Sequence, residues 1–345
     1  MVHTNTDSTK VLLFSGAGLS APLGLPTTNG FKDIISSGNS GLLDFLKYHL
    51  GTNYDEDIEA ILSSVEELNS TNNLIYKYIV KGSGKIHLSE TKRYIDALRS
   101  ESISYTNNLK KFVHRLLGTP DLTKCESLYS NIFKEIRTVI PNAAISFFTA
   151  NYDITFEDSI GQNEKLKKDL QINSIDDGFS YLGVGLIFEP TRKYHWEPSI
   201  LEYKKIHGSL GWTYDSRGRT TKSLASNTPD DPDSVPILYP GFKGYPDKEP
   251  FLSLHRQFLE RLIDAKYVIF MGFAFRDIYI NSLIDMAMTF NPDLKIFCYN
   301  PSEIDKLPPE SHIHQLIMNK ERFKYIKNKI EIIDNPLKLA SNLKK

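Results

Sequence analysis

The chain has 345 residues, 40% hydrophobic and 24% charged, which are the proportions of a globular protein with one large domain or two modest ones. Its formal charge of −1 gives no global pull toward a polyanion, so no direct nucleic-acid partner is expected. Two cysteines, Cys125 and Cys298, cannot build a four-cysteine zinc site, and no apolar run approaches the roughly 18 residues that span a bilayer. The polar start, MVHTNTDSTK, lacks the apolar core of a signal peptide, which leaves the cytoplasm as the expected location.

In chain order, the apolar run Val11 to Phe14 ends in Gly16-Ala17-Gly18 and suits a buried parallel strand. Residues 31–50 have helical spacing, broken by Gly38 and Gly41. From 55 to 140 the pattern is almost wholly helical; Ile58, Ile61, Leu62, Val65 and Leu68, for instance, share one face. Strand character returns at AAISFFTANYD (143–153), KKIHGSL (204–210), AKYVIFMGFAF (265–275) and LKIFCYNP (294–301). Helices over 251–264 and 277–290 alternate with the late strands, which implies parallel crossovers. The stretch 213–250, rich in Gly, Pro, Asp and Ser, reads as loop. The expected fold is α/β, a doubly wound, mostly parallel Rossmann-like sheet whose first two strands are separated by a helical insertion. Its parts are an α/β domain from 1–54 and 141–301, the insertion 55–140, and a helix-and-strand extension over 302–345.

A strand that runs into glycines ahead of a helix is a potential anion site, although such turns also serve close packing. Gly16-Ala17-Gly18-Leu19-Ser20-Ala21 fits a loose G-x-G-x-x-A form. The acid-ended second strand of a dehydrogenase is missing, since SSGNSGLLD stands in its place, and no G-K-[ST] follows, which excludes a P-loop. Thr149-Ala150-Asn151-Tyr152-Asp153, His207-Gly208, Gly272-Phe273-Ala274 and Asn300 each close another strand, at the edge where open α/β sheets bind ligands. Each also has an ordinary reading, as turn former, structural hydrogen-bonder or packing glycine. His255, His312 and His314 read as surface, and Phe112 and Phe133 as core.

Taken together, these residues resemble the sirtuin superfamily. Gly16, Ala17, Gly18, Ser20, Gly24 and Pro26 match its G-A-G-x-S-x-x-x-G-x-P loop. Thr149, Asn151 and Asp153 match T-x-N-x-D, His207-Gly208 match H-G, Gly272 opens the G-T-S cluster, and Asn300 ends the following strand. The resemblance runs from about residue 11 to 301. It implies NAD as ligand, with the glycine loop near the diphosphate, Asn151 and His207 around the nicotinamide ribose and Asp153 by the carboxamide. The departures are as informative: the zinc cysteines are missing, Thr27-Thr28-Asn29-Gly30-Phe31 replaces an aromatic-arginine segment, and Phe273-Ala274 replace Thr-Ser. With the helical insertion, this is similar to the bacterial sirtuin-like NAD hydrolases of anti-phage defence.

That resemblance implies an enzyme that cleaves NAD to nicotinamide and ADP-ribose without zinc. Asn151 and His207 are its expected catalytic residues; Gly16, Ala17, Gly18, Ser20, Pro26, Thr149, Asp153, Gly272, Phe273 and Asn300 are its expected NAD contacts. Protein deacylation or ADP-ribosylation is the alternative, and a non-catalytic NAD or ADP-ribose sensor is a third. Because uncontrolled hydrolysis would drain the cell, the resemblance also implies gating: a homo-oligomer, a partner such as a HerA-type ATPase or an Argonaute, or a phage-derived trigger. The residues after Asn300 are too few for a separate sensor domain, so the gate is expected in self-association, in the helical insertion over 55–140 or in another protein.

Overall fold

A computed structural model describes residues 8–26 and 121–328, apart from 162, 184, 223–234, 239–245, 247, 305–306 and 308–310, together with single helical positions at 93, 96, 97, 100, 104, 111 and 117. The expected helix over 31–50 and most of the insertion 55–140 lie outside the described residues. Strand β1 (Thr9–Ser15) leads into two short 3-10 turns, Ala17–Leu19 and Ala21–Leu23. After α1 (Leu122–Val139) come β2 (Ala143–Thr149), the short helices α2 (Thr155–Asp158) and α3 (Glu164–Asp169), and β3 (Ser174–Asp176). Then follow β4 (Phe179–Tyr181), β5 (Leu186–Phe188), β6 (Ile200–Lys205), β7 (Trp212–Tyr214) and β8 (Thr220–Lys222). The chain continues through α4 (Phe251–Asp264), β9 (Tyr267–Met271), α5 (Ile278–Phe290), β10 (Lys295–Asn300), α6 (Ile313–Leu316) and β11 (Phe323–Lys327).

Seven strands form one sheet in the order β11-β10-β9-β1-β2-β6-β3, every pair parallel. From β1 the chain builds one wing through β2, β6 and β3 and then the other through β9, β10 and β11, so the connection reverses between β1 and β9. A doubly wound sheet has its crevice at such a reversal. Why β1 reads as an unbroken apolar run is clear from its two faces. Val11 and Leu13 enter a core with Cys125, Leu128, Ile132 and Phe133 of α1, while Leu12 and Phe14 enter another with Leu254, Phe258 and Leu262 of α4. Side chains alternate across a strand, so a strand covered on both faces must be apolar at every position. Each of these four fully buried residues contributes about 1.5–3 kcal/mol of burial.

Two parts of the architecture differ from the sequence reading. The stretch read as loop from 213 contains β7 and β8, which join β4 and β5 in a second, antiparallel sheet ordered β4-β5-β8-β7. Strands of three residues are too short for alternation to show. Their hairpin is closed by Asp215, whose Oδ1 accepts from the amides of Arg217 and Arg219, with Gly218 at φ +73°. Strand β6 also ends at Lys205 and does not run on to 210, because Gly208 turns the chain at φ +91°. Beyond Asn300, β11 pairs in parallel with β10 and forms an edge of the main sheet.

Candidate active site

The register sets the site. Tyr299, Met271, Ser15, Thr149 and Lys205 lie level across five adjacent strands. The residues just beyond them, Asn300, Gly272, Gly16, Asn151 and His207, are therefore brought to one edge of the sheet, as their positions at strand ends predicted.

The T-x-N-x-D spacing has a local cause. Threonine and aspartate side chains readily accept from the backbone amide two residues on. Thr149 Oγ1 accepts from Asn151 N at 3.0 Å, and Asp153 Oδ1 accepts from Thr155 N at 3.1 Å and from its hydroxyl at 2.6 Å. Between these turns, Asn151 Nδ2 donates to Gly16 O and to Ser20 Oγ, both at 3.0 Å. A carbonyl only accepts, so Nδ2 is the atom that faces Gly16, and both its hydrogens are engaged. Asn151 thus has Oδ1 left as an acceptor. Ser20 passes its own hydroxyl hydrogen to Asp153 Oδ2 at 2.8 Å, and Thr155 Oγ1 meets the Tyr129 hydroxyl at 2.7 Å. The β1 and β2 loops are stapled together by this chain of bonds. Thr149 (which also takes the Ser15 hydroxyl at 2.7 Å), Ser20 and Asp153 are all buried.

Below this loop lies a feature the sequence reading missed. Lys205 is 1% exposed, and its ammonium donates to the carbonyls of Tyr152 and Asp153 and to Glu157 Oε1, the last at 3.0 Å. Tyr203 donates to the other Glu157 oxygen at 3.0 Å, and its burial pushes the phenol well above the usual tyrosine range. A buried charge is tolerated only when paired and hydrogen-bonded, and here the pairing ties β6 to the β2–α2 loop. Nothing in KKIHG marks Lys205 as buried, since a lysine before a turn ordinarily reads as surface.

The glycines act by close approach. A Cβ on Gly16 would stand 2.8 Å from Gly272 O, one on Gly18 would stand 2.8 Å from Gly272 Cα, and one on Gly272 (φ +60°) would stand 2.4 Å from Gly18 C. The amides of Gly16 and Gly18 donate to Met271 O and Gly272 O, each at 3.0 Å, so an anion in the crevice must be met by other donors of the loop. Gly24 takes a left-handed turn at φ +85°, and Pro26 is half-buried. The ring of Phe273 packs edge-on against Phe14 at 4.9 Å, within the core. Asn300 is buried, and its Oδ1 accepts from Ser302 N at 2.9 Å.

His207 is 3% exposed, and the 235–238 segment crosses its neighbour: Leu238 N donates to His207 O at 2.9 Å, and a Cβ on Gly208 would meet Pro236 O. Its Nε2 lies 3.2 Å from Asp277 Oδ2, within ion-pair range but without the alignment of a good hydrogen bond. Its ring stacks on His255 at 5.9 Å and 30°, and His255 in turn lies 5.2 Å from Tyr279. His255 is therefore not the surface residue its helix suggested; it is 1% exposed, with Nδ1 2.8 Å from Phe251 O. His312 and His314 are half-buried, and His312 Nε2 lies 2.8 Å from Asp285 Oδ1. Phe133 is core as expected, while Phe112 and residues 27–31 fall outside the described residues. No cluster of three or more potential metal ligands occurs among the described residues, and none of their helices is long and apolar enough to cross a membrane.

A parallel α/β sheet whose strand order reverses at β1, with polar loops converging there, is a doubly wound, Rossmann-like architecture. The SIR2-like domain model matches residues 145–326, more than half of the chain, and the chain belongs to that family. It is similar to a mutant Sir2 homologue solved with 2′-O-acetyl ADP ribose, at 13% identity and TM-score 0.46, over 98% of this chain and 94% of that one. It is also similar to a Sir2 homolog solved with NAD, at 13% identity and TM-score 0.43, over 98% and 90% respectively. No curated protein sequence matches.

Proposed function

We propose that this protein binds NAD in the crevice beyond β1, β2 and β6 and hydrolyses the nicotinamide–ribose bond, releasing nicotinamide and ADP-ribose. The observation that carries the reading is Asn151: its amide hydrogens are fixed on Gly16 and Ser20, and its Oδ1 stays available at the sheet edge it shares with His207. Nicotinamide leaves as a neutral group, through an oxocarbenium-like state at C1′, so little acid assistance is needed. What the site must supply is a held ribose and a positioned water. Asn151 Oδ1 can accept a hydrogen from that water and so aim an oxygen lone pair at C1′. His207 takes a proton from the water or from a ribose hydroxyl. Water is preferred over an acyl-lysine oxygen as nucleophile because two cysteines cannot supply the zinc module that accompanies a peptide groove.

In the cell this activity fits an NAD-depleting effector of anti-phage defence, held low as a homo-oligomer until a partner protein or an infection-derived trigger raises it. The test incubates purified protein with NAD, alone and with candidate partners, and identifies products by mass. Equimolar nicotinamide and ADP-ribose are expected. Acetyl-lysine turnover matching NAD loss would replace hydrolysis with deacylation. Light scattering paired with activity across protein concentrations tests the assembly, and a monomer with full, partner-independent activity would rule out the gate.

A further inference from the structure

Two lysines stand side by side in β6, and the side chains of Lys204 and Lys205 are each only 2% exposed. Side chains alternate across a strand, so the two ammonium groups lie on opposite faces of the main sheet. Their settings differ. Lys204 meets Asp176 Oδ1 at 3.3 Å on the neighbouring strand β3, an ion pair from strand to strand. Lys205 instead meets a loop. Its ammonium donates to the Tyr152 carbonyl at 3.3 Å, to the Asp153 carbonyl and to Glu157 Oε1 at 3.0 Å, which engages all three of its hydrogens. Those carbonyls belong to the two residues directly after Asn151. The same stretch is tied twice more to the end of β6, since Ile206 N donates to Thr149 O and Leu210 N to Tyr152 O, each at 3.0 Å. Lys205 therefore stands where the loops carrying Asn151 and His207 are joined, two residues ahead of the histidine.

We propose that Lys205 is the positioning residue for Asn151: by holding the Tyr152 and Asp153 carbonyls it sets the loop from which Asn151 presents Oδ1, and keeps that oxygen in register with His207. This rests on the hydrolase reading above. Lys205 acts through the loop, being sealed beneath it. Burying an ammonium with a carboxylate carries a desolvation cost that apolar side chains of similar volume avoid, so stability alone accounts poorly for the pair. What apolar packing cannot do is orient a peptide: an ammonium fixes the direction of two carbonyls, and a methyl group does not. Glu157 in turn holds the ammonium in place, and its own second oxygen takes the Tyr203 hydroxyl at 3.0 Å. Placement matters steeply here, because shifting a positioned group by about 1 Å can lower a rate by about 10²-fold.

The test removes both charges at once. K205M/E157Q leaves neither partner charged and alone, and the amide oxygen it introduces still accepts from Tyr203. This pair and Asn151→Ala are measured separately and combined, for kcat, KM and unfolding midpoint. K205M/E157Q should lower kcat about 10- to 100-fold, with the midpoint within about 5 °C of wild type. In the Asn151→Ala background the same pair should lower kcat by less than about threefold, because the group that Lys205 positions is already gone. A lysine that serves only the fold gives either a kcat near wild type or a loss that multiplies with that of Asn151→Ala, and either result overturns the proposal. Y203F/K205M/E157L, apolar throughout, replaces the pair if K205M/E157Q folds poorly; if neither folds, Lys205 belongs to the core alone and the proposal falls. If wild type fails to cleave NAD, the hydrolase reading fails by itself, and nitrogen NMR of side-chain amides decides the role of Lys205. The Asn151 signals should then move in K205M/E157Q while those of Asn291, held by the Ile263 and Ala265 carbonyls, stay in place. Asn151 signals that also stay in place overturn the proposal.

Discussion

The two flanks of the crevice are built from opposite materials. Beyond β1, β2 and β6 the loops are joined by side chains, in a line from Asn151 through Ser20 and Asp153 to Thr155 and Tyr129, with buried Lys205 beneath. Beyond β9 and β10 the loops are joined by bare backbone and aromatic packing, Gly272 against Gly16 and Gly18 and Phe273 against Phe14. Both flanks lie at one edge of one sheet, and both carry family motif residues, yet side chains able to bind or move a proton gather on the first. The exception is Asp277, which reaches across from the start of α5 to His207. A motif position can thus be shared for packing as well as for chemistry, and burial and hydrogen-bond partners separate the two.

The largest effect expected from that contrast is on the backbone flank. Gly272→Ala adds a Cβ 2.4 Å from Gly18 C at φ +60°, which combines left-handed strain with overpacking against backbone that has no rotamer to yield. It should cost roughly 3–5 kcal/mol, read by denaturant unfolding. Asn151→Ala and His207→Ala should do the reverse, each folding with a smaller loss of about 1–3 kcal/mol while NAD cleavage falls about 10²–10³-fold. A Gly272→Ala protein as stable as wild type, or a His207→Ala protein that unfolds before it loses activity, would dissolve the distinction between the flanks.

How much of this was legible in the sequence follows the same division. Strands β1, β2, β9 and β10 were readable because strands buried on both faces are apolar throughout, and the loops after them because glycine and Asx/Thr turns punctuate sharply. The small antiparallel sheet was not, since three residues cannot display a period of two. Asp277 opens the helix expected over 277–290, but the helical pattern does not say that its side chain caps the helix or what its second carboxylate oxygen faces. His255 was misread because helical spacing gives a face without saying what covers it. Lys205 and Glu157 were beyond reach, since a buried ion pair between residues 48 apart leaves no local pattern.

A smaller effect tests the polar flank from within. Asp153→Asn keeps an acceptor for Thr155 but sets an NH2 against Ser20, whose oxygen already accepts from Asn151. One hydrogen bond to a charged group is lost in a buried site, so thermal unfolding should report about 1.5–3 kcal/mol of destabilisation. No change would mean that Ser20 can turn its hydroxyl elsewhere without cost.

The same variant gives the smallest signal, through the two cysteines, one beneath each flank. Burial pushes the Cys125 thiol on α1 up to about 12, with the Asp153, Asp121 and Asp158 carboxylates adding to it, whereas burial alone raises Cys298 on β10. In the unfolded chain each thiol ionises near its ordinary value of 9.0. Below pH 9 both are protonated in either state, and their contribution to stability is fully present. As pH climbs from 9 toward 12 the unfolded chain releases its proton first, and that contribution is lost at up to about 1.4 kcal/mol per pH unit for each thiol. Asp153→Asn removes a negative charge near Cys125 and none near Cys298. Carbon NMR of the labelled cysteine Cβ atoms between pH 8 and about 11 should therefore show Cys125 beginning to ionise at lower pH in the variant, with Cys298 unmoved. An equal displacement of both would trace the change to general loosening of the fold, and no displacement of Cys125 would mean that the Asp153 charge is spent entirely on Ser20 and Thr155.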